Sequence, residues 1–192
     1  MTDETWPSQW LAESWQGDFG FQYRPGEDVS VHDPVAARLF RETLGRFATG
    51  VTVVTAMSDD EPVGLTCQSF TSVSLDPPLV LFCPAKTSRS WPLIERAGTF
   101  CVNILAHDQH DISDTMATRG LDKFAGLAWQ PSAKTGSPVL DGVLGHVDCS
   151  IEAVHDGGDH RVVVGRVVDL AVTDVAEPLL FFEGGYAGRD DG

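Results

Sequence analysis

Residues 155–160 read His-Asp-Gly-Gly-Asp-His, and β-branched runs flank them at 144–154 and 161–172. Glycine and aspartate between two such runs are turn chemistry, because a tight hairpin needs backbone conformations that glycine adopts without strain. The chain is therefore committed to a long antiparallel ribbon. The same grammar recurs upstream. Residues 51–57 form a β-branched run, 58–61 (Ser-Asp-Asp-Glu) a turn, and 62–70 a second run that pairs back. Further strands are expected at 72–74, 79–83, 99–105 and 179–182.

Helical signals are few. Asp33-Pro34 reads as an N-cap and first helical residue. Val35, Leu39, Phe40, Leu44 and Phe47 follow at helical spacing, so a helix is predicted to about residue 46 or 47. A short helix capped by Ser88 or Ser90 is expected to run to Ala97 and stop at Gly98. A polar helix is expected over 108–118. Hairpins outnumber any strand–helix–strand alternation. The predicted class is mainly β with α insertions, an antiparallel barrel and not a doubly wound parallel sheet.

A chain of 192 residues is sized for one domain, and 34–192 is read as that domain. Residues 1–33 are read as a separate extension. They hold Trp6, Trp10 and Trp15 and carry seven acidic residues against one basic residue, Arg24. Ser8 could cap a short helix there, with Leu11 and Trp15 on one face. The segment is expected to act as a docked or mobile arm, with a lid or partner-docking role as the alternative.

The net charge of −15 excludes broad classes of partner. Such a chain repels phosphate backbones and anionic bilayers at long range, so no nucleic acid and no membrane surface is expected as a partner. No apolar run approaches a membrane span, and the acidic start lacks a signal peptide's basic and apolar regions. Cys67, Cys83, Cys101 and Cys149 form no Cys-x-x-Cys unit and sit in apolar runs, the pattern of free thiols in a reducing cytoplasm. His107 and His110 are three apart with no third ligand suggested, so no metal site is assigned. The nucleotide fingerprints and the nucleophile elbow are absent.

Three segments are candidates for chemistry. Gly64-Leu65-Thr66-Cys67-Gln68-Ser69-Phe70 places donors and acceptors in a row along a strand, which suits the edge of a planar heterocycle. Cys83-Pro84-Ala85-Lys86-Thr87-Ser88-Arg89-Ser90-Trp91 is the one concentrated cationic and hydroxyl-rich stretch. It lies between a strand end and a helix start, where unpaired first-turn N–H groups would point at an anion such as a phosphate monoester. Gly158-Asp159-His160 ends the long hairpin and could face a ligand.

Together these segments resemble the flavin reductase family, whose fold is the FMN-binding split barrel. The blocks that carry the resemblance are Gly50-Val-Thr-Val-Val-Thr55, Gly64 to Phe70, Ser72-Val-Ser-Leu-Asp-Pro-Pro-Leu79, Cys101-Val-Asn-Ile-Leu105, Asp122-Lys123-Phe124, Gly158-Asp-His160 and Pro178-Leu-Leu-Phe181. The resemblance covers about residues 34–187, with the blocks in order, and within the family the chain is most similar to the small reductase components of two-component flavin-dependent monooxygenases. The resemblance implies a homodimeric NAD(P)H-dependent flavin reductase that reduces FMN or FAD with NADH and supplies free reduced flavin to a monooxygenase. It places Val63, Gly64, Leu65, Thr66, Cys67, Gln68 and Ser69 along the flavin ring. Cys83, Pro84, Ala85, Lys86, Ser88, Arg89 and Ser90 would lie at its phosphate. Gly158, Asp159 and His160 would face the nicotinamide, and Arg119 and Lys123 are secondary phosphate contacts. No residue is assigned a catalytic role, since the flavin carries the chemistry. Two other uses of the barrel stay open: a flavoprotein that keeps its flavin and reduces another acceptor, and a non-catalytic flavin-binding protein.

Overall fold

A computed structural model describes residues 34–118, 122–174 and 177–187. The 1–33 extension and Arg119 lie outside these. The described residues divide into two units, 34–47 and those from 48 onward. In the first, helix α1 (Pro34–Gly45) carries an Arg38–Glu42 pair one turn apart at 3.6 Å.

The second unit is built on antiparallel strands: β1 (Thr49–Gly50), β2 (Thr52–Ser58), β3 (Glu61–Cys67), β4 (Thr71–Leu75), β5 (Pro78–Phe82), helix α2 (Trp91–Ala97), β6 (Thr99–Ile104), helix α3 (His110–Ala117), β7 (Trp129–Pro131), β8 (Pro138–Leu140), β9 (Gly145–Gly157), β10 (His160–Val172), β11 (Leu180–Phe182) and β12 (Gly185–Ala187). The main sheet has seven strands in the order β3-β2-β6-β9-β10-β5-β4. The two long strands run straight into the glycine pair and leave only Gly158 and Asp159 as the turn, with Gly157 opposite His160. The ribbon is thus longer, and its turn tighter, than a six-residue connection would give.

The sheet's two outer strands, β3 and β4, are consecutive in sequence. Seven strands laid flat would hold their edges about 29 Å apart at ~4.8 Å per step. The chain from Cys67 to Thr71 reaches at most about 14 Å. The sheet must therefore roll, and residues 68–70 tie its two edges together without pairing them.

Period-two alternation sorts the side chains into two cores. On one face Val54, Ala56, Leu65, Phe82, Phe100, Val102 and Val163 pack with Trp91 and Ile94 of α2. Phe82 meets Trp91 and Phe100 edge-on, with ring centroids 5.9 and 5.0 Å apart. On the other face Val51, Val53 and Leu105 pack with Met116 of α3, Phe124, Leu140 and Leu179. The β7–β8 hairpin is not among the strands expected from the sequence. The buried Asn103 amide holds it by donating to Pro138 O at 3.2 Å and accepting Leu140 N–H at 2.8 Å. The short strand β12, likewise not expected, pairs with β11.

Candidate active site

β3 is an edge strand, and its side chains are already committed to packing. Leu65 and Cys67 face the α2 core. Gly64 faces α3 so closely that an added Cβ would stand 2.9 Å from Met116 Sδ and 3.4 Å from Phe124 Cζ. Thr66 Oγ1 donates to Ser113 O at 2.5 Å. The Thr66 hydroxyl, expected among the ligand donors, is therefore a fastening to α3. What the segment leaves open is the exposed pair Gln68 and Ser69 and the backbone of the 68–70 link, which joins no strand ladder. Ser69 Oγ spans the gap between the sheet edges. It accepts Cys83 N–H at 2.9 Å and lies 3.1 Å from Cys67 Sγ.

The cationic loop follows directly. The predicted capping is met by Ser88, whose Oγ accepts Trp91 N–H at 3.2 Å, whereas Ser90 makes no side-chain cap. The expectation of free first-turn N–H groups fails. Trp91 N–H is taken by Ser88, residue 92 is proline, and Leu93 and Ile94 N–H both bond Ser90 O at 3.1 Å. Any anion here must be held by side chains and the preceding loop. Among those side chains Arg89 is exposed and forms no ion pair with a described residue. Lys86 Nζ is engaged by Asp156 Oδ1 at 2.6 Å.

The loop and the long hairpin meet through backbone bonds. Ala85 and His160 form an isolated bridge, Lys86 N–H donates to Asp159 O at 2.9 Å, and Arg161 N–H donates to Pro84 O at 2.9 Å. His160 Nδ1 lies 2.7 Å from Asp159 Oδ1, and this contact holds the Asp159 carboxyl below the usual aspartate range. The strand, loop and hairpin chosen from sequence thus come together at one rim of the rolled sheet. Asp156 and Arg161 join them there and were not chosen. Their signal was present: a two-residue turn at 158–159 puts them opposite each other across the ribbon.

Lys123 is placed differently from expectation. Its ammonium donates to Met116 O at 2.6 Å and Gly64 O at 3.1 Å, with Ser90 Oγ at 3.4 Å. It joins the end of α3, strand β3 and the start of α2. Partial burial lowers its pKa. The three buried cysteines offer no thiolate. Burial pushes Cys67 and Cys101 up and Cys149 up to about 12.

A rolled antiparallel sheet with a cationic loop, an open edge and a hairpin at one rim defines a class of small-ligand enzyme, and the comparisons supply its family. The flavin reductase like domain matches residues 44–189, and the chain belongs to that family. A reductase subunit of a flavin-dependent monooxygenase, HsaB of Rhodococcus jostii, is 52% identical over 85% of this chain and 83% of its own. An FMN reductase (NADH), SmoA of Agrobacterium fabrum, is 44% identical over 86% and 92%. The solved structure of a nitrilotriacetate monooxygenase component B homologue from Mycobacterium thermoresistibile superposes with a TM-score of 0.78 at 52% identity, covering 81% of this chain and 88% of that one. The flavin reductase expected from the sequence is borne out.

Proposed function

We propose that this chain uses NADH to reduce FMN or FAD and releases the reduced flavin to a separate monooxygenase. The observation that carries the reading is the convergence of the 63–69 strand, the 83–90 loop and the 158–160 hairpin at one rim. The donor set fits a flavin phosphate: Arg89 has no charged partner among the described residues, and Ser88, Ser90 and Lys86 flank it. The unladdered backbone at 68–70 fits the hydrogen-bonding edge of the ring. A bound flavin would supply the hydride-accepting chemistry. The chain's residues bind and orient. The loop anchors the phosphate, the 63–69 strand backs the ring, and the hairpin limits how a nicotinamide can lie over it. Orientation of two bound rings at near-contact distance is the protein's share of the rate. No proton-transfer residue is required.

The rolled sheet is read as the split barrel of the family, and the protein as a homodimer. Beyond residue 166 β10 has lost its partner β5 and shows Val168, Leu170 and Val172, the last 86% exposed. Leu75 on edge strand β4 is 94% exposed. An open apolar edge is stabilised by a second copy. No described helix is long and apolar enough to span a membrane. The free thiols and an NADH substrate support a cytoplasmic setting.

The test is NADH oxidation in air with FMN, FAD or riboflavin added. Strong stimulation by a free flavin is expected. No oxidation by folded protein with any flavin would overturn the reading in favour of a binding role. Arg89→Ala is expected to raise KM for FMN about tenfold, the loss of a charge-assisted hydrogen bond. It should leave riboflavin, which lacks the phosphate, near its original value. Equal effects on both would remove the phosphate from this loop.

A further inference from the structure

The other cation of the 83–90 loop, Lys86, is not free to bind. Lys86 Nζ sits 2.6 Å from Asp156 Oδ1, and the same oxygen lies 2.8 Å from Arg161 Nη1. The position of Asp156 is fixed by the fold. It faces Arg161 across the ribbon, one pair before the Gly157–His160 pair, and the Ala85–His160 bridge presses the loop against that end. The local charge is then nearly balanced: Lys86, Arg89 and Arg161 stand against Asp156 and Asp159.

We propose that Asp156 is an affinity-setting residue, which competes with the flavin phosphate for Lys86 and so keeps the grip on flavin loose enough for the reduced product to leave. The proposal rests on the reading of the 83–90 loop as the phosphate site. Its physical basis is simple. An anion reaching Lys86 must displace a carboxylate already there, and Arg161 keeps that carboxylate satisfied when it is displaced. Both members of the pair are exposed, at 37% and 64%, so the contact is screened and reversible. An enzyme that carries flavin as product needs that reversibility. One that keeps its flavin does not.

The experiment is flavin titration by fluorescence quenching on the full chain. Asp156→Asn is near isosteric and lies on an exposed ribbon end. It is expected to tighten FMN about two- to fivefold, the range of an exposed ion pair, with riboflavin unchanged. The tightening should vanish in a Lys86→Ala background, where there is no ammonium to release. FMN dissociation, followed by stopped flow, should slow by the same factor. Three results overturn the proposal: FMN affinity unchanged in Asp156→Asn, both flavins tightened alike, or the tightening kept without Lys86. If Arg89→Ala and Lys86→Ala fail to separate FMN from riboflavin, the phosphate loop itself is wrong and the proposal falls with it. If they do separate them while Asp156→Asn changes nothing, the loop stands and only the role of Asp156 is lost.

Discussion

At Gly165 of β10 an added Cβ would run into the ring of Phe100, with Cys149 Cβ 3.3 Å away. Phe100 is fully buried between Phe82 and the strand, so its ring cannot yield. At Gly64 the obstacle is the flexible end of Met116. Gly165→Ala is therefore expected to destabilise by about 1–3 kcal/mol, the cost of overpacking. Gly64→Ala should cost less. Thermal melts of the two variants, measured side by side, check the order, and an equal or reversed ranking would contradict the packing argument. Neither contact was legible in the sequence. A glycine inside a strand signals a close approach, but the partner is a ring 65 positions upstream. Lys123 shows the same limit. The family resemblance implies a phosphate contact there, and nothing local in the sequence signals that the carbonyls of Met116 and Gly64 accept from its ammonium.

Among elements, local signals proved enough where the stabilising partner is local. The Gly98 stop adopts the left-handed conformation expected of it, with φ 71°. The main strands fall where β-branched runs and turns predicted them. The β7–β8 and β11–β12 hairpins were missed or shortened because distant groups hold them. Tyr186 of β12 reaches α3, donating to Asp114 Oδ1 at 2.6 Å and lying 2.9 Å from Ser113 Oγ. Ser113 O in turn accepts the Thr66 hydroxyl, so the last hairpin braces the helix behind β3. Burial, with Asp114 adding to it, raises the Tyr186 pKa above its ordinary 10.0. A raised folded-state pKa contributes stability fully present below pH 10.0 and lost as pH rises through the higher folded value. Tyr186→Phe is expected to lose about 1 kcal/mol at neutral pH. It should also lack the wild type's additional alkaline loss above that pH. Melts from neutral to strongly alkaline pH check this, and parallel curves for the two proteins would refute it.

For the molecule as a whole, charge and an open edge pull in opposite directions. A net charge of −15 on each copy opposes association, so a dimer must rely on apolar contact. Leu170→Lys, on the exposed half of β10, is expected to give monomers by sedimentation velocity while leaving the melting temperature of the subunit nearly unchanged. A variant that sediments with the wild type would place the interface elsewhere. The family and the β class were legible because turn chemistry and short blocks are local, and the three candidate segments are ones the fold brings near one another. The counter-charge on Lys86 was not legible, because it depends on the long-range backbone bonds that seat the 83–90 loop against the end of the ribbon. The tether at 68–70 has one more consequence. The β2–β3 and β4–β5 hairpins lie at opposite ends of the sheet, and the distance between them is set by β6, β9 and β10, which come later in the chain. During synthesis both hairpins emerge early with nothing to space them. The 63–69 strand and the 83–90 loop are brought into register only when residues 163–166 of β10, which pair with β5, have left the ribosome, so the candidate site is something the growing chain acquires late and all at once.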